Sequence, residues 1–409
     1  PLSSQVQLAL NPGSAIEISG DTATVNLAPS ALNLSNAERY TVSRAIANTL
    51  TQWGDIRYVN ILINSRLLGL DTASSIPLGS LGKTADGDIA ALWEAASRAP
   101  ANPGAAYTGM ATIYYPVSAG RGIAAQAQLI TAASRSLSDM ALSLLEAMSA
   151  PGDRPQNTPV IPDLGTLLLN PPVVDEGTGG TGRILRLQFH ESMNEALIAA
   201  GITRSVMMAA LTYTLTTFLP YTAGISVAIG NEHLGALVPA GLYDGAGEQI
   251  VFDNGVMQRS QFSRFLLDHC SLYFANADGS LTLTRRAIPY YQMHNPRYLI
   301  NQLMEGPKNT DSVTGLAPVL PADLKDADLL GISVQADTAL AHFSGRLTDA
   351  ASAFDEGQEL LMVYAMVNTL TRLPAIHQVC FFIDGAQDGT FVRQVDIAGV
   401  FLRNEGIIR

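Results

Sequence analysis

The sequence repeats one helical phrase three times, and this repetition limits the fold more than any other feature. The three copies comprise Asn48, Thr49 and Leu50; Tyr213, Thr214 and Leu215; and Asn368, Thr369 and Leu370. Around each copy, apolar and small residues recur every three or four positions, which is typical of one helix face packed on a core. Repetition on this scale predicts a chain built from copies of one supersecondary unit.

The repeated helix face includes one threonine in every copy. In the first copy, the face predicted to contact the core runs from Val42 to Trp53. We interpret Thr49, Thr214 and Thr369 as structural residues, and we expect each hydroxyl to bond to a carbonyl one turn back, as threonine inside helices often does. The phrase therefore indicates packing and carries no catalytic prediction.

The residues around the helix repeat as well. Ser35 with Glu38, and Asp355 with Gln358, are capping-box signals for a helix start. Short runs of β-branched, aromatic and aliphatic residues come before and after each helix and predict strands. Those that follow the helix begin at Val59, Ile225 and Val379. The predicted unit is therefore strand, helix, strand, used three times.

This arrangement resembles the GerMN domain, the sporulation and spore germination module of bacterial envelope lipoproteins. The resemblance is clearest in the third copy, where Asn-Thr-Leu is followed by a strand that ends in Asp384-Gly385. There Ser271 to Phe274 is similar to the opening strand of the family, and Leu299 to Pro307 is similar to its first helix. The second copy departs from the family pattern, because Tyr213 stands where the family has Asn.

The repeats divide the chain into four predicted parts. Residues 1–78 are a partial first module that lacks an opening strand and a first helix, and residues 79–108 are a helical connector with a Pro/Gly linker. Residues 109–259 and 260–409 are the second and third modules. We expect an α+β fold of tandem modules, each a small, mostly antiparallel sheet with two helices packed on one face.

Composition and charge exclude some functions. The chain has 409 residues, a hydrophobic fraction of 47% and a charged fraction of 15%, which is typical of a globular protein. Its net charge of -12 argues against nucleic-acid binding, which needs a basic surface. It also disfavours adhesion to an anionic membrane surface. The uncharged stretch from Val206 to Gly230 is long enough to cross a bilayer, but Pro220 and several threonines indicate a helix, a turn and a strand.

The sequence holds no recognisable catalytic or metal-binding motif. The six histidines lack the H-E-x-x-H spacing, and no cysteine cluster has the spacing of metal ligands. Gly177 to Gly182 fits the G-x-G-x-x-G pattern but leads into a predicted strand rather than a helix, so we interpret it as a hairpin connection. We therefore predict no catalytic residue, no cofactor and no metal site. Cys270 and Cys380 could pair if their strands are neighbours, but we expect free thiols.

The resemblance implies a non-catalytic, extracytoplasmic envelope protein that acts through protein–protein assembly with envelope or sporulation proteins, or with copies of itself. It also implies a signal peptide and a lipid-anchored Cys upstream of Pro1, so that the membrane would be reached only through that anchor. Two alternatives stay open. One is a module that binds cell-wall glycan or peptide, such as peptidoglycan, with Tyr290, Tyr291 and Tyr298 as the stacking surface. The other is a hydrolase acting on the cell wall, which needs only two carboxylates.

Overall fold

The fold is known from a computed structural model, which describes residues 6, 16–53, 55–67, 77–85, 89–98, 104–117, 121–150, 152, 154–155, 157–176, 182–240, 242, 245, 247–387 and 389–409. Residues 86–88 and 99–103 of the predicted connector and the glycine-rich residues 177–181 lie outside this description. The chain divides into two compact units, Pro1–Asp268 and His269–Arg409. The predicted second and third modules meet close to this division, and we keep the names module 1, module 2 and module 3 for the proposed parts.

Module 1 contains one four-stranded sheet and one long helix. Its elements are β1 (Ile16–Ser19), β2 (Thr22–Leu27), α1 (Asn36–Leu50), β3 (Tyr58–Ile63) and β4 (Arg66–Leu67), and the connector forms α2 (Ile89–Arg98). The strands lie in the order β1-β2-β3-β4, with β2 and β3 parallel and the outer pairs antiparallel. Leu81 pairs with Val59 beyond the predicted module end at residue 78. The sheet of module 1 therefore continues into the predicted connector.

Module 2 opens with a long hairpin and closes with a second mixed sheet. Its elements are β5 (Tyr107–Val117), β6 (Gly122–Ala132), α3 (Leu137–Ser149), α4 (Leu164–Leu167), β7 (Val173–Asp175), β8 (Arg183–Phe189), α5 (Met193–Ala199), α6 (Arg204–Phe218), β9 (Thr222–Ile229), β10 (Glu232–His233), β11 (Ala236–Leu237) and β12 (Ile250–Val251). The four-stranded sheet has the order β10-β9-β8-β7, and its central pair is again parallel. The repeated phrase lies in α6, which is buried along almost its whole length.

Module 3 repeats the same order of elements within the second unit. They are β13 (Leu267–Ala275), β14 (Leu281–Pro289), α7 (Pro296–Met304), β15 (Leu329–Gln335), β16 (Thr338–Phe343), α8 (Arg346–Ala350), α9 (Glu356–Leu370), β17 (Gln378–Ile383) and β18 (Phe401–Leu402). The sheet has the order β15-β16-β17-β18 with β16 and β17 parallel. Its core combines residues of α7, α9 and the sheet. The α+β fold and the strand–helix–strand unit are therefore confirmed.

The predicted caps explain where the long helices begin. Ser35 and Glu38 form a complete capping box before α1, and Asp355 and Gln358 form one before α9. Thr203 caps α6 with its side chain alone. The structure also starts α7 earlier than predicted, because Asn295 caps the helix and Pro296 occupies its first turn.

Modules 1 and 2 form one unit because the hairpin of module 2 packs on the sheet of module 1. Asn60 of β3 donates a hydrogen bond of 2.9 Å to the hydroxyl of Thr112 in β5. The Ser80 amide donates to the carbonyl of Met110 at 2.9 Å, and the Ser80 hydroxyl lies 2.8 Å from that of Thr112. These side chains are buried. These polar groups lose contact with water when the interface forms. Because each of them has a hydrogen-bond partner, none is left unsatisfied.

Within the described ranges, no single helix is long and apolar enough to span a membrane. Helices α5 and α6, which are bent by 105° relative to each other, have sufficient length and apolar composition only when they are taken together.

Candidate functional site

In modules 1 and 3, the asparagine of the repeated phrase forms hydrogen bonds with a segment that lies far along the chain. In module 1, the Asn48 side-chain oxygen accepts a hydrogen bond of 2.9 Å from the amide of Thr84. In module 3, the Asn368 side chain accepts from the amide of Asn404 at 2.9 Å and donates to its carbonyl at 2.9 Å. Both pairs are separated by 36 residues. The asparagine therefore holds the segment that completes the sheet.

We name these segments the closing segments, which are residues 81–84 in module 1, 257–260 in module 2 and 401–404 in module 3. Each begins with a residue that pairs with the strand after the repeated helix: Leu81 with Val59, Met257 with Ile225 and Phe401 with Val379. Two residues later, every closing segment has a basic residue: Lys83, Arg259 and Arg403. Sequence analysis missed this basic position because its spacing from the repeated helix is longer in module 2 than in modules 1 and 3.

Arg259 explains why module 2 has a tyrosine in place of the asparagine. Its guanidinium carbon lies 4.0 Å from the centre of the Tyr213 ring. The same guanidinium donates hydrogen bonds to Glu17 at 2.6 Å, to the Tyr114 hydroxyl at 3.0 Å and to the Thr217 hydroxyl. Burial raises the pKa of Tyr213 well above its usual value. A cation held over an aromatic face in this buried site therefore replaces the amide contact of the other modules.

The equivalent arginine of module 3 makes a related contact. Arg403 donates to the Tyr273 hydroxyl at 2.6 Å and to the Asn368 carbonyl at 3.2 Å. Tyr273 lies in the opening strand β13, as Tyr114 lies in β5. In modules 2 and 3, the basic residue therefore joins the closing segment to the opening hairpin.

The three threonines of the phrase behave differently from one another. The Thr49 hydroxyl donates to the Ala45 carbonyl at 2.8 Å, as predicted. The Thr214 hydroxyl instead accepts a hydrogen bond of 2.9 Å from the amide of Tyr114. The buried Thr369 hydroxyl has no hydrogen-bond partner among the described residues. The predicted bond to the preceding turn is therefore observed in module 1, while a tertiary contact takes the hydroxyl of Thr214.

The predicted core face is wrong for the C-terminal end of α1. Thr49 is exposed, and Trp53 is 61% exposed. At the same position, Phe218 of module 2 is buried and packs edge-on against Tyr107 of β5, with ring centres 5.8 Å apart. Periodicity identified the correct position, but burial there depends on an opening hairpin, which module 1 does not have among its described residues.

The tyrosines considered for glycan stacking lie in two neighbouring elements of module 3. Tyr290 and Tyr291 belong to a short 3-10 helix after β14, and Tyr298 belongs to α7. Tyr291 is 46% exposed, whereas Tyr298 packs partly against the hydrophobic core. The stacking surface stays a prediction.

A buried ion pair in module 3 escaped the sequence analysis. Arg286 of β14 donates two hydrogen bonds to Asp311, at 2.8 and 2.7 Å, and further bonds to the carbonyls of Gln302 and Gly306. Both charged side chains are almost completely buried. Asp311 lies in a stretch rich in threonine, serine, glycine and proline, residues 309–320, and it anchors this stretch in the core. A lone Asp in a polar stretch carries no sequence signal of that role.

Glu359 is a second buried charge of module 3. Its carboxylate accepts hydrogen bonds from the four consecutive backbone amides of residues 392–395, at 2.8 to 3.3 Å. Burial by itself raises the pKa of this carboxyl, but the bonds from the amides of Arg393, Gln394, Val392 and Val395 outweigh burial and lower the pKa below its usual 4.5. The carboxylate therefore holds a loop that has no strand partner of its own at this point.

Glu359 predicts an acid-sensitive contribution to stability. Because its pKa is lower in the folded state, the ionised carboxylate stabilises the second unit above pH 4.5, and this contribution is lost as the pH falls through the lowered folded pKa. We expect Glu359→Gln to reduce the free energy of unfolding by about 2 to 3 kcal/mol at pH 7. Urea titrations at pH 7 and pH 3 should also show a smaller pH dependence in this variant than in the wild type. An unchanged pH dependence would contradict the assignment.

Both cysteines are buried and present as free thiols, as expected. Cys270 lies in β13 and Cys380 in β17, which belong to different sheets. Burial raises the pKa of the Cys270 thiol to about 12. Within the described part of the chain, no group of three or more His, Cys, Asp or Glu side chains could hold a metal ion.

Several chains among the solved structures are similar to this one. Tandem GerMN domains of the sporulation protein GerM from Bacillus subtilis share 15% identity, over 72% of this chain and 98% of that chain, with a TM-score of 0.26. The first GerMN domain of the same protein shares 19% identity, over 34% and 98%, with a TM-score of 0.27. A candidate lipoprotein from Clostridium perfringens shares 23% identity, over 33% and 87%, with a TM-score of 0.24.

The family comparison is more specific. No curated protein sequence matches the chain. The Germane family model, described as "Sporulation and spore germination", matches residues 271–389. This range begins in β13, includes α7, α9 and the third copy of the repeated phrase, and ends shortly after β17. Residues 271–389 therefore belong to the sporulation and spore germination family.

Proposed function

We propose that the chain is a non-catalytic envelope protein that works outside the cytoplasm by binding other envelope or sporulation proteins, or copies of itself. The family match over residues 271–389 supports a role in sporulation or germination, and its description names no reaction. A lipid anchor upstream of Pro1 forms part of the same proposal. The resemblance to envelope lipoproteins supports this location.

The edge strand β15 carries the proposal that the protein acts by assembly. It is the last strand on one side of the described sheet of module 3. Leu330 and Val334 on this strand are 58% and 42% exposed. An exposed edge with apolar side chains can pair with a strand of another chain, because its outer backbone groups are available for hydrogen bonds. The proposed interface is therefore an added strand beside β15.

A cross-linking experiment tests this interface. We expect a photo-cross-linking amino acid at position 330 to give a discrete protein adduct in intact sporulating cells. The same group at Val400, an exposed apolar position outside β15, serves as the control and should give none. Val334→Lys should reduce the adduct from position 330 about tenfold, because a charge on an edge strand opposes pairing.

The result also separates the alternatives. No adduct at position 330, or equal adducts at positions 330 and 400, would contradict assembly through β15. Adducts with peptidoglycan in place of protein would favour the glycan-binding alternative, which the exposure of Tyr291 keeps open.

A further inference from the structure

The backbone of β15 directs alternate residues toward the sheet and toward its outer edge. The Phe343 carbonyl of β16 accepts a hydrogen bond of 2.9 Å from the Asp384 amide, which directly follows β17. Odd-numbered residues of β16 therefore bond to β17, and its even-numbered residues bond to β15. By the register of β15 and β16, Ser333 belongs to a pair that exchanges hydrogen bonds with β16. Ile332 and Val334, on either side of it, consequently direct their amides and carbonyls away from the sheet.

The edge strand β15 carries no charged side chain. Its sequence contains no Asp, Glu, Lys or Arg. The outermost strands of the described sheets in modules 1 and 2 each contain a charged residue: Glu17 in β1, Arg66 in β4, Asp175 in β7 and Glu232 in β10. A two-fold contact places a strand beside its own copy, so each charge on it would lie near an identical charge. The absence of charge therefore fits β15 to a second copy of itself, and it offers no opposite charge to a charged foreign strand.

A two-fold axis fixes how β15 meets its copy. The axis reverses the strand direction, so the two strands run antiparallel. Hydrogen bonds form where outward residues face each other, which places Ile332 opposite Val334 of the second copy and Ser333 opposite Ser333. A register centred on Ile332 would instead need Leu330, which lies at an irregularity of the strand and has no register partner in β16. The register centred on Ser333 uses the regular part of β15.

The side chains match in the same register. Ile332 packs against the hydrophobic core of module 3. Val334 lies two residues further on, and therefore on the same face of the strand, where it is 42% exposed. Across the two-fold axis, each of these apolar side chains lies beside the other, so the exposed valine gains an apolar neighbour.

We propose that the strand added beside β15 is β15 of a second copy of this chain, with Ser333 on the two-fold axis. The described four-stranded sheet of module 3 then continues into the same sheet of the second copy. The proposal rests on the assembly function proposed above and names the partner at that edge.

A disulfide at the axis tests the contact in the purified full chain. We expect mild oxidation of the Ser333→Cys variant to give a covalent dimer. Ser333 and its copy form a non-hydrogen-bonded antiparallel pair, in which the Cα atoms lie about 4.5 Å apart, a distance that a disulfide can bridge. Cys270 and Cys380 are both buried, so the wild type should give no covalent dimer.

Matched cysteine variants test the register. Gln335→Cys is the control, because position 335 is exposed on the same face of β15 as Ser333. In the proposed register it lies opposite Gly331 of the second copy, so it should not link to itself. A mixture of Gly331→Cys chains and Gln335→Cys chains should form the disulfide. The surroundings of Gly331 leave space for the new side chain.

Light scattering after size-exclusion chromatography measures the association without a cross-link. Val334→Lys should raise the dissociation constant of the dimer about a hundredfold, because the two-fold axis introduces two lysines and each opposes edge pairing about tenfold. Val251→Lys changes another exposed valine, in β12, and should leave this constant unchanged.

A monomeric wild type together with no disulfide in the Ser333→Cys variant would overturn the second copy as the partner. Equal cross-linking of Ser333→Cys and Gln335→Cys would overturn the register. If the purified chain is monomeric and position 330 still gives an adduct with a different protein in cells, the assembly function stands and the partner named here is wrong. If position 330 gives no adduct in cells, assembly through β15 is contradicted whatever the purified chain does, so the two proposals can fail separately.

Discussion

Replacing Asp311 with alanine is expected to lower the free energy of unfolding of the second unit by about 3 to 5 kcal/mol. In the wild type, the Asp311 carboxylate accepts two hydrogen bonds from the Arg286 guanidinium. The change leaves this guanidinium buried without that carboxylate. A buried charge without a partner costs far more than the ion pair contributes when intact, because the surrounding protein cannot replace the lost hydration. Amide hydrogen exchange should show that β14 and α7 lose protection, while the protection of β5 stays unchanged.

Two further variants separate this cause from a general loss of folding. Arg286→Met combined with Asp311→Leu removes both charges and should recover most of the lost stability, because no uncompensated ion remains. Asp323→Ala removes an exposed acid whose partner Arg346 is also exposed, and it should cost less than about 1 kcal/mol. A double variant as unstable as Asp311→Ala would contradict the explanation.

Arg259→Met is expected to destabilise the first unit by about 3 kcal/mol. The variant removes the ion pair with Glu17 at 2.6 Å, the bond to Tyr114 and the cation over Tyr213. Glu17 keeps a little contact with solvent, so the loss should fall at the low end for buried ion pairs. Trp53 and Trp93 both lie in this unit, so tryptophan fluorescence during urea titration reports on it directly.

Controls around Arg259 distinguish charge from packing. Tyr213→Phe should change stability by less than about 0.5 kcal/mol, because the buried Tyr213 hydroxyl has no hydrogen-bond partner among the described residues and the ring is kept. Glu17→Gln should partly rescue Arg259→Met, since it removes the uncompensated carboxylate. Additive losses in the double variant would show that the two charges do not interact.

The outcome of the sequence analysis differs between local and tertiary features. Periodicity located α1, α6 and α9, and the capping boxes located the starts of α1 and α9, because these signals act over one or two helical turns. The burial of Trp53 was predicted from the same periodicity and is wrong. Periodicity shows which positions of a helix are apolar. It does not show whether another element of the fold packs on each side of the helix.

The role of the asparagine could not be read from its own neighbours. Asn48 and Asn368 each bond to a residue 36 positions further on, and nothing nearby in sequence marks Thr84 or Asn404 as the partner. The closing segments align at Lys83, Arg259 and Arg403 only when the strands that pair with these segments are known. Module 2 has a longer path between these strands, which hides the shared position.

The sequence by itself determined the repeated strand–helix–strand unit, the α+β class and the resemblance to the sporulation and spore germination family, because these depend on patterns within short stretches. Tertiary structure alone decided where charge is buried and which surfaces stay open. Arg286 reaches Asp311, and Glu359 reaches four amides, only after distant segments come together. The exposure of Trp53 at the end of α1 likewise depends on tertiary packing, which no local sequence pattern records.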